Sequence, residues 1–482
     1  MTKKWVLPIA VAASLTIGAA GGMYIEPNLF LKWNTPKDEQ ERNDTASHKE
    51  EDADLEKVEH AYDLIRKHYI KEVEDEELIS GAIQGMVATL NDPYSVYMDK
   101  EVSARFNQSL DSSFEGIGTE IGVEQDKVII VSPYKNSPAE KAGLKPKDEI
   151  TAIDGEAIKG LNVQEVSMKI RGKQGTKVTL EIKRPGVSKP LTYTIKRDKI
   201  PIETVFSEVK EESGKKIGYI EIATFSVDTA SDFKKQLKAL EKKDIDGLII
   251  DVRQNPGGLL SAVEGIINEL VTKENPYLQT EDRSGEQTEF YSKLTEKKSY
   301  NIAVLIDSGS ASAAEILAAA LHEAQGYALI GEKTFGKGTV QQAIPMDDGS
   351  DVKLTVSKWL TPKGNWIHQK GIEPTIAIQQ PDLFRTQPLS IEHTLKRDMT
   401  SEQVKHAQEM LKGLGYEPGR DDGYYDLRTE IAVKAFQSSA GLKPTGNINA
   451  KTAAALEQQI AAEKKDEDND IQLRAALRYL LK

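Results

Sequence analysis

The spacing of apolar and polar residues divides the chain into segments with different periodicities. Over residues 55–90, apolar side chains recur at steps of three and four, which predicts helix. Over residues 113–199, short apolar runs alternate with turns, and 128–131 and 150–153 are predicted strands. A short helix is predicted between these two strands at 137–144, because Pro lies at its start and Gly at its end.

The pattern changes again in the second half of the chain, where strands and helices alternate from 217 to about 378. A second short helix is predicted at 162–170, within the preceding segment 113–199. The predicted strands of the region are 217–222, 247–251, 302–306 and 328–330. We therefore predict a multidomain α/β protein. It would have an α/β core, an inserted β-rich domain, an N-terminal helical segment and a small all-α C-terminal domain.

The amino terminus carries a basic residue pair followed by an uncharged apolar run. Lys3 and Lys4 precede residues 5–25, and these 21 residues would span about 31 Å as a helix. The basic side should stay in the cytoplasm, so the rest of the chain is expected outside. The segment is either a membrane anchor or a cleaved signal peptide. Residues 26–54 are predicted to be a charged linker.

Composition excludes several classes of function. The net charge is −13, which argues against nucleic-acid binding, because a phosphate footprint requires clustered positive charge. Cysteine is absent, which removes disulfides, thiolate metal sites and a cysteine nucleophile. None of the seven histidines falls in H-E-x-x-H spacing. We expect neither a metal nor a cofactor.

The first candidate for chemistry is a serine at a predicted strand-to-helix junction. Ser312 follows the strand 302–306 and opens an Ala-rich helix that is predicted to run to about His322. Unpaired backbone N–H groups at a helix start favour an alkoxide or a nearby oxyanion. The alternative is structural, because Ser312 and Glu315 also fit an S-x-x-E capping box.

A nucleophilic serine needs a base, and the sequence offers three. His322 lies on the same predicted helix and His368 in a loop. Lys337 stands between two glycines, and Gln341 would share its face of an extended strand, where it could hold the amine. The simple alternative is that Lys337 is an exposed loop residue.

The same segment contains a partial match to a phosphate-binding loop. Residues 331–337 fit G-x-x-x-x-G-K, but Gly338 stands where Ser or Thr should bind magnesium. Strand rather than helix is predicted after it. We therefore do not interpret the segment as a nucleotide site.

A third element follows another predicted strand. Residues 251–258 end in Pro-Gly-Gly, which is usually a turn but can also present bare backbone N–H groups to a reacting carbonyl. Loops after parallel strands meet at the carboxyl edge of a sheet. The three segments are therefore expected to lie close together.

With these motifs the sequence resembles the carboxyl-terminal processing (tail-specific) proteases. S-A-S-A-x-E matches 310–315, F-G-K-G-x-x-Q matches 335–341, and D-x-R-x-N-x-G-G matches 251–258. The resemblance covers about 55–384 and includes an inserted PDZ domain. The family often has Ser where this chain has Ala314, so Ser310 is the remaining rival nucleophile.

The resemblance implies a role for each matching residue. Ser312 would be the nucleophile, Lys337 the general base and Gln341 the group that positions Lys337. The oxyanion hole would be formed by backbone N–H groups of Ala313 and of Gly257 or Gly258. A neutral lysine at pH 7 requires a strongly lowered pKa, so we expect Lys337 in a dry pocket.

A Gly-rich segment resembles the carboxylate-binding loop of PDZ domains. Its candidate peptide-binding residues are Phe114, Gly116, Ile117 and Gly118. Such a loop would hold the terminal carboxylate of a peptide that adds a strand to the domain. A plain β-turn is the alternative. Arg171 follows the second predicted helix and is a candidate gating residue, with an exposed salt bridge as the equal alternative.

Residues 400–456 resemble a peptidoglycan-binding module, with Gly415-Tyr416 and Asp422-Gly423 in the expected pattern. Tyr425-Asp426 replaces the usual Phe-Gly. The alternative is a small helical bundle that serves only as a contact in a homodimer.

These observations predict an extracytoplasmic serine endopeptidase at the bacterial membrane, or secreted if the leader is cleaved. Its partners would be a protein or peptide substrate with a free C-terminus or a disordered segment, peptidoglycan, and the membrane through the N-terminal segment. By analogy with wall-binding relatives of endospore formers, it would process a regulator during spore formation. The alternatives are a non-catalytic PDZ scaffold and a Ser-His hydrolase.

The predicted domain boundaries follow from the same segments. They are 1–25 anchor or signal, 26–54 linker, 55–100 helical part, 112–199 PDZ, 200–385 protease core, 398–460 wall-binding-like domain and 461–482 C-terminal helix.

Overall fold

The computed structural model describes residues 48–124 and 127–482. The predicted anchor or signal segment at 1–25, and the linker up to residue 47, lie outside the described residues. Within the described ranges, no helix combines the length and apolar character needed to cross a membrane.

The regular elements are numbered here in chain order. The helices are α1 His48–His68, α2 Asp75–Ala88, α3 Lys100–Leu110, α4 Pro138–Ala142, α5 Val163–Ile170, α6 Thr229–Glu241, α7 Leu260–Leu270, α8 Ala313–Ala319, α9 Glu402–Gly413, α10 Leu427–Ser439, α11 Ala450–Lys465 and α12 Ile471–Leu480. The strands are β1 Val96–Met98, β2 Ser113–Gly116, β3 Thr119–Glu124, β4 Lys127–Pro133, β5 Glu149–Ile153, β6 Glu156–Ala157, β7 Lys177–Lys183, β8 Leu191–Lys196, β9 Asp198–Pro201, β10 Val205–Glu212, β11 Lys215–Ile222, β12 Gly247–Asp251, β13 Pro276–Glu281, β14 Gln287–Tyr291, β15 Asn301–Ile306, β16 Ala328–Gly331, β17 Thr339–Pro345, β18 Asp351–Leu360 and β19 Ile376–Ala377.

The larger of two compact units contains the α/β core, which confirms the predicted fold class. Its central sheet has the order β10-β11-β12-β15-β16-β19, and all pairs are parallel except β10 with β11. The strands β12 and β15 are apolar and buried along nearly their whole length. Such runs are typical of parallel strands that are covered on both faces.

A second sheet of the same unit is antiparallel. Its order is β1-β18-β13-β14, and β17 also pairs with β18. The strand that was predicted after Lys337, the lysine between two glycines, is β17. An irregularity in the pairing of β17 with β18 lies between Val340 and Gln341.

The N-terminal helical region differs from the expected single stretch over 55–90. The structure has two helices, α1 and α2, and α1 begins before residue 55. The preceding residues 49–54 are rich in Glu, Lys and Ala, which favour helix. Helix α1 thus extends into the predicted linker 26–54, and the domain boundary at 54 stays a prediction.

The smaller unit comprises residues 99–204 and 226–229. Its sheet has the order β3-β4-β5-β7-β8, with β6 paired to β5, and β2 pairs separately with β9. Both predicted helices are confirmed. Ser137 caps α4 and Gly143 ends it with φ of 87°, while Asn162 and Glu165 form a capping box on α5.

The last part of the chain returns to the core of the larger unit. Helices α9, α10 and α11 share a buried cluster that includes Leu411, Phe436 and Leu456. Helix α12 then packs on the central sheet, with Leu473 and Leu477 in one buried cluster with side chains of β12, β15 and β16. The terminal helix is therefore an element of the α/β core.

Candidate active site

Three predicted loops leave neighbouring parallel strands of the central sheet. Residues 251–258 follow β12, residues 307–312 follow β15, and residues 332–338 follow β16. Because β12, β15 and β16 are adjacent, these loops lie at one carboxyl edge. Ala311 N–H donates to Asn255 O at 2.9 Å, and Phe335 N–H donates to Ser310 O at 3.0 Å. The expected convergence of the three segments is present.

Ser312 lies immediately before α8 in a strained backbone conformation. Its φ is 55° and its ψ is −113°, in a region that non-glycine residues rarely adopt. The side chain is buried, and Oγ has no hydrogen-bond partner among the described residues. An unbonded buried hydroxyl at a strained turn is typical of a functional position. Ser312 and Glu315 are nevertheless arranged as the predicted capping box, and its carboxylate half is formed, because Ser312 N–H donates to Glu315 Oε2 at 2.8 Å.

Ser310, the rival nucleophile, uses its hydroxyl to hold the loop together. Ser310 Oγ donates to Val252 O at 2.7 Å and accepts from Asp307 N–H at 3.0 Å. The group is fully buried. Because its donor and an acceptor site are occupied by backbone, Ser310 is a structural residue of the turn.

Lys337 is buried, with 3% of its surface exposed. Burial, followed by the nearby ammonium of Lys353, lowers the pKa of Lys337 to about 7, while Asp92 and Glu315 oppose this shift. Its Nζ lies 4.5 Å from the centre of the Tyr94 ring, and no hydrogen bond joins Nζ to Ser312 Oγ. Lys337 Nζ can therefore lose its proton near neutral pH. It lies against the face of the Tyr94 ring.

Gln341 lies on β17 with its amide group buried. Gln341 Nε2 donates to Thr339 Oγ1 at 2.9 Å and to Thr355 Oγ1 at 3.2 Å. Its Oε1 is buried and has no partner among the described residues. Two threonines thus fix the amide so that its acceptor stays available for an N–H donor.

Glu315 connects the serine and lysine loops, a role that the sequence alone did not show. Its Oε2 accepts from the N–H groups of Ser312 and Lys337, both at 2.8 Å. Its Oε1 accepts from Gly336 N–H at 2.7 Å and from Thr334 Oγ1 at 2.6 Å. Burial raises the pKa of Glu315, and these four hydrogen bonds oppose the shift.

The glycine pair at the end of the first loop lies against the serine. A Cβ on Gly257 would be 2.8 Å from Ser312 Cβ and 3.1 Å from Ala313 N, so only glycine fits. Gly257 N–H donates to Asn255 Oδ1 at 2.8 Å. The N–H groups of Gly258 and Ala313 have no partner in the described part of the chain. Of the two glycines, Gly258 therefore has the freer donor for an oxyanion.

The two candidate histidines are engaged elsewhere. His322 Nδ1 contacts Tyr327 O at 2.9 Å, and His322 lies in a π-helical turn at 320–324 that continues α8 through the predicted end of the helix. His368 stacks on Trp366 at 5.2 Å between centroids, and its Nδ1 accepts weakly from Gly338 N–H at 3.4 Å. Neither histidine is hydrogen-bonded to Ser312.

The start of the first loop is anchored by a buried ionic network. Arg253 binds Asp251 and Asp470 through Nη2, at 2.6 and 2.8 Å, and contacts Gln472 through Nη1 at 3.1 Å. The two carboxylates hold the pKa of Arg253 well above its ordinary value, against the effect of burial. Asp470 is also the N-cap of α12. The terminal helix therefore fixes the loop that carries the glycine pair.

In the smaller unit, the candidate gating and peptide-binding residues are brought together. The guanidinium of Arg171 lies 4.8 Å from the centre of the Phe114 ring and donates to Gln108 Oε1 at 3.0 Å. Gly116 ends β2, and Ile117 is buried in the core of the unit. Gly118 has φ of 73°, and a Cβ there would lie 2.5 Å from Ser137 Cβ.

Several residues of the site were not identified from the sequence. Tyr94 follows the Asn-Asp-Pro break and lies far from the three motifs along the chain, and Lys353 lies on β18. Glu315 closes the S-A-S-A-x-E motif, so the motif itself was an available signal. Among residues 48–124 and 127–482, no group of His, Asp and Glu could hold a metal ion.

Comparison with protein-family models gives four matches. Peptidase family S41 matches residues 216–378, and the N-terminal domain of activating protease CtpB matches 15–102. A PDZ domain matches 129–184, and a peptidoglycan binding domain matches 400–456.

Individual relatives match over most of the chain. Carboxy-terminal processing protease CtpB of Bacillus subtilis (strain 168) is 53% identical over 475 residues, which are 98% of each chain. CtpA of the same organism is 44% identical over 431 residues, 89% of this chain and 91% of CtpA. Among solved structures, the photosystem II D1 C-terminal processing protease is 28% identical, with a TM-score of 0.41, over 67% of this chain and 92% of that one.

Proposed function

The chain belongs to the carboxy-terminal processing serine proteases of peptidase family S41, with a PDZ domain, and on that premise we propose a Ser-Lys-Gln mechanism. Ser312 is the nucleophile, Lys337 the general base and Gln341 the residue that positions the amine. The observation that carries this assignment is the burial of Lys337, with a pKa of about 7. An amine of that pKa can take a proton from an alcohol at neutral pH.

The unsatisfied atoms of the site are complementary to one another. Ser312 Oγ and Gln341 Oε1 are both buried, and neither has a hydrogen-bond partner among the residues that the structure describes. A neutral lysine amine has one lone pair and two N–H groups. A change of the Lys337 rotamer, away from the Tyr94 ring, would let Nζ accept from Ser312 and donate to Gln341. Such a change would bring the resting site into its working arrangement.

The reaction follows from these groups. Ser312 O–H gives its proton to Lys337 Nζ while Oγ bonds to the scissile carbonyl carbon. The carbonyl oxygen becomes negative and accepts from the N–H groups of Gly258 and Ala313. When the C–N bond breaks, Lys337 returns the proton to the leaving amine. Lys337 then deprotonates the water that hydrolyses the acyl-enzyme.

The mechanism is tested with full-length protein and a fluorescently labelled unfolded casein. Ser312→Ala and Lys337→Arg should lower turnover by at least about a thousandfold, since removing a nucleophile or base is that costly. Ser308→Ala is a matched control, because Ser308 is exposed on the same loop, and it should keep full activity. Retained cleavage in Lys337→Arg would contradict the assignment.

Gln341 is tested separately because it acts through Lys337. Gln341→Ala should lower kcat by about tenfold to a hundredfold with little change in KM, since a mispositioned base loses part of its catalytic contribution. Gln342→Ala, at the next and half-exposed position of β17, is the control. Equal losses in both variants would contradict a positioning role.

The alternatives predict other results. A Ser-His hydrolase would lose activity on substitution of His322 or His368, whose hydrogen bonds do not involve Ser312. A non-catalytic scaffold would leave casein intact in the wild type. The buried Ser312 hydroxyl, unbonded among the described residues, and the buried amine of Lys337 on the adjacent loop favour the enzyme.

Substrate recognition is assigned to the PDZ loop with Phe114, Gly116, Ile117 and Gly118. Full-length Ser312→Ala should bind a fluorescent peptide with a free C-terminus, and C-terminal amidation should weaken binding at least tenfold. Equal affinity for both peptides would contradict carboxylate recognition.

Arg171, which covers Phe114, is assigned to gating. Arg171→Ala should therefore change turnover more than peptide affinity.

We place the enzyme on the extracytoplasmic side of the bacterial membrane, tethered through 1–25 or released if that segment is cleaved. Protease accessibility on spheroplasts tests this placement.

We assign residues 400–456 to peptidoglycan binding. Co-sedimentation of the protein with purified sacculi tests this assignment. A homodimer is supported by exposed apolar side chains on α1 and α2, among them Leu55, Ile65 and Ile79, and light scattering tests it. Regulatory processing during spore formation is tested by the sporulation efficiency of a strain that carries Ser312→Ala.

A further inference from the structure

The carboxylate of Asp470 binds two different structures at the start of the terminal helix α12. Its Oδ1 accepts from Leu473 N–H at 2.9 Å, which caps the helix, and from Gln380 Nε2 at 2.6 Å. Both oxygens also accept from Arg253, with Nη1 to Oδ1 at 2.9 Å and Nη2 to Oδ2 at 2.8 Å. Because two parallel hydrogen bonds fix the plane of a guanidinium, this fork holds Arg253 in one orientation.

Arg253 lies next to a strained position in the loop that carries the glycine pair. Gln254 has φ of 56°, in the left-handed region that non-glycine residues rarely adopt. Such a conformation persists only where the surrounding contacts hold it. On one side, Gln254 donates to Asp307 through its N–H at 2.9 Å and through Nε2 at 2.7 Å. On the other side, the contacts are those of Arg253 with Asp251 and Asp470.

The loop leads from Arg253 to the proposed oxyanion donor, Gly258 N–H, within five residues. Phe225 N–H donates to Gly257 O at 2.9 Å, and Leu259 N–H donates to Phe225 O at 2.7 Å. These bonds hold the glycine end of the loop, whereas the Arg253 fork holds its beginning. Gly258 N–H donates to no described residue, so the path of the backbone alone sets its direction.

A second side chain in the first turn of α12 connects the helix to the lysine loop. Gln472 is fully buried, and its Oε1 accepts from Arg253 Nη1 at 3.1 Å. Its Nε2 donates to Ile378 O at 2.8 Å and weakly to Glu332 Oε1 at 3.4 Å. Glu332 is the first residue of the lysine loop and also pairs with Arg385 at 2.9 Å. The first turn of α12 therefore contacts both the glycine loop and the lysine loop.

The charged groups around Arg253 show why Asp470 has a special place among them. Asp251 also binds the guanidinium, and its Oδ2 accepts from the Tyr219 hydroxyl at 2.7 Å. Glu221, the strand neighbour of Asp251, is exposed to solvent. Asp251 belongs to the same segment 251–258 as Arg253. Asp470 is therefore the carboxylate that ties this segment to another element of the core.

We propose that Asp470 is a positioning residue for the oxyanion hole, because its fork with Arg253 holds the loop that presents Gly258 N–H to the reacting carbonyl. This proposal rests on the proposed function of the site. Asp470 acts through Arg253 and is not itself a catalytic residue. A residue that follows the wall-binding-like domain in the chain thus sets the geometry of a loop at 251–258.

Asparagine is the informative substitution, because it separates the two bonds of Asp470. Asn caps helices about as well as Asp, so Asp470→Asn keeps the cap on α12. The variant loses the fork, since its amide nitrogen would face one of the two Nη groups of Arg253. Asp468→Asn is the matched control, because Asp468 lies in the same turn but is exposed and pairs with Arg474 only at 3.9 Å.

The kinetic test measures kcat and KM of full-length protein on labelled casein from pH 5.5 to 9.5. Asp470→Asn should lower kcat by about tenfold to a hundredfold, since loss of a whole oxyanion donor costs roughly a hundredfold to a thousandfold. KM and the acidic limb of the pH profile should not change, because the oxyanion forms only in the transition state and Lys337 is untouched. Asp468→Asn should match the wild type.

Arg253→Lys tests the fork from its other end, because lysine keeps the charge without the paired donors. It should cause a similar loss of kcat. The double variant with Asp470→Asn should lose no more than the worse single variant, because both substitutions remove the same interaction. Multiplied losses in the double variant would contradict an action of Asp470 through Arg253.

A second readout follows the loop without activity. Hydrogen–deuterium exchange is measured by mass spectrometry on full-length protein. In Asp470→Asn the peptide that covers 251–259 should exchange faster than in the wild type, because the loop opens more often. Peptides from β15 should exchange as in the wild type, and Asp468→Asn should leave both regions unchanged.

Wild-type kcat in folded Asp470→Asn, a loss that appears in KM, or a shifted acidic limb would overturn the proposal. If Asp470→Asn does not fold, as judged by urea unfolding, Arg253→Lys is judged by the same criteria. If wild type and Ser312→Ala are equally inactive, the proposed function fails. The exchange of 251–259 then still decides whether Asp470 holds the loop, so the two failures are distinguishable.

Discussion

The backbone N–H groups of Ser312 and Lys337 donate to the same atom, Glu315 Oε2, each at 2.8 Å. The two residues come from loops after different strands, β15 and β16. One buried carboxylate therefore sets the distance between the backbones of the proposed nucleophile and the proposed base. The side chains remain free to change rotamer while the loops stay fixed.

Glu315→Gln should destabilise the protein. In either orientation the new amide group would face at least one backbone N–H that now donates to a carboxylate, and each unsatisfied buried group costs roughly 1–3 kcal/mol. The free energy of unfolding is measured with urea. Glu264→Gln is the control, because Glu264 is half-buried and its carboxylate accepts from the Tyr277 hydroxyl alone among the described residues, at 3.0 Å. Equal losses in the free energy of unfolding for the two variants would contradict the role of Glu315 in holding the two loops together.

Peptidase activity should rise with pH through the ionisation of Lys337. Its pKa is about 7, and only the neutral amine can act as a base. At one pH unit below that pKa, kcat/KM should be about tenfold under its plateau. Lys337→Arg should be inactive at every pH, because a guanidinium does not deprotonate. A flat profile between pH 5.5 and 8 in the wild type would exclude this base.

The burial of Lys337 should also lower the stability of the wild type at neutral pH. The unfolded chain keeps the proton up to about pH 10.5, whereas the folded protein releases it near pH 7. The penalty is therefore full below pH 7 and vanishes as the pH rises through 10.5. Lys337→Met should gain on the order of 2–4 kcal/mol in the free energy of unfolding at pH 7. Urea unfolding at pH 7 and pH 10 measures the difference.

The control for this prediction is Lys333→Met. Lys333 is exposed on the same loop and pairs with Glu373 at 2.7 Å. Its substitution should give no gain that depends on pH. A gain from Lys337→Met that stays the same at pH 7 and pH 10 would show that the amine is not neutral in the folded protein.

The terminal helix should contribute to the stability of the α/β core. Leu473 of α12 is 4% exposed and packs in one cluster with Ile249 and Leu305 of the central sheet. Leu473→Ala should cost about 2–5 kcal/mol in the free energy of unfolding, from lost burial and a cavity. Ile471→Ala, at a 39% exposed position of the same helix, should cost much less. Similar small effects would mean that α12 is dispensable for the core.

Local sequence was sufficient to predict most of the regular structure and the three loops. The apolar runs of β12 and β15 indicated buried strands, and the Pro and Gly positions indicated α4. The residues of each loop predicted the chemistry, because a serine at a helix start and Pro-Gly-Gly have few physical uses in combination. The starting point of α1 was missed, since charged residues suit a helix and a linker equally well.

The contacts that distinguish the proposed site residues from their structural neighbours were not predictable in this way. Ser310 and Ser312 have nearly the same local context, yet Ser310 Oγ donates to Val252 O, 58 residues away. Ser312 Oγ has no partner within the described part of the chain. Gly257 and Gly258 differ because the Asn255 side chain accepts from only one of them. Tyr94 lies in a turn before β1 and Lys353 lies on β18, and neither belongs to a motif.

The sequence by itself determined which groups could react, because residue type sets acidity and nucleophilicity, and periodicity places the loops at strand ends. The tertiary structure alone lowered the pKa of Lys337 and left the hydroxyl of Ser312 without a hydrogen bond among the described residues. Both depend on burial and on neighbours that are distant along the chain. Desolvation and electrostatic interactions act through space, so they exist only after the strands have paired.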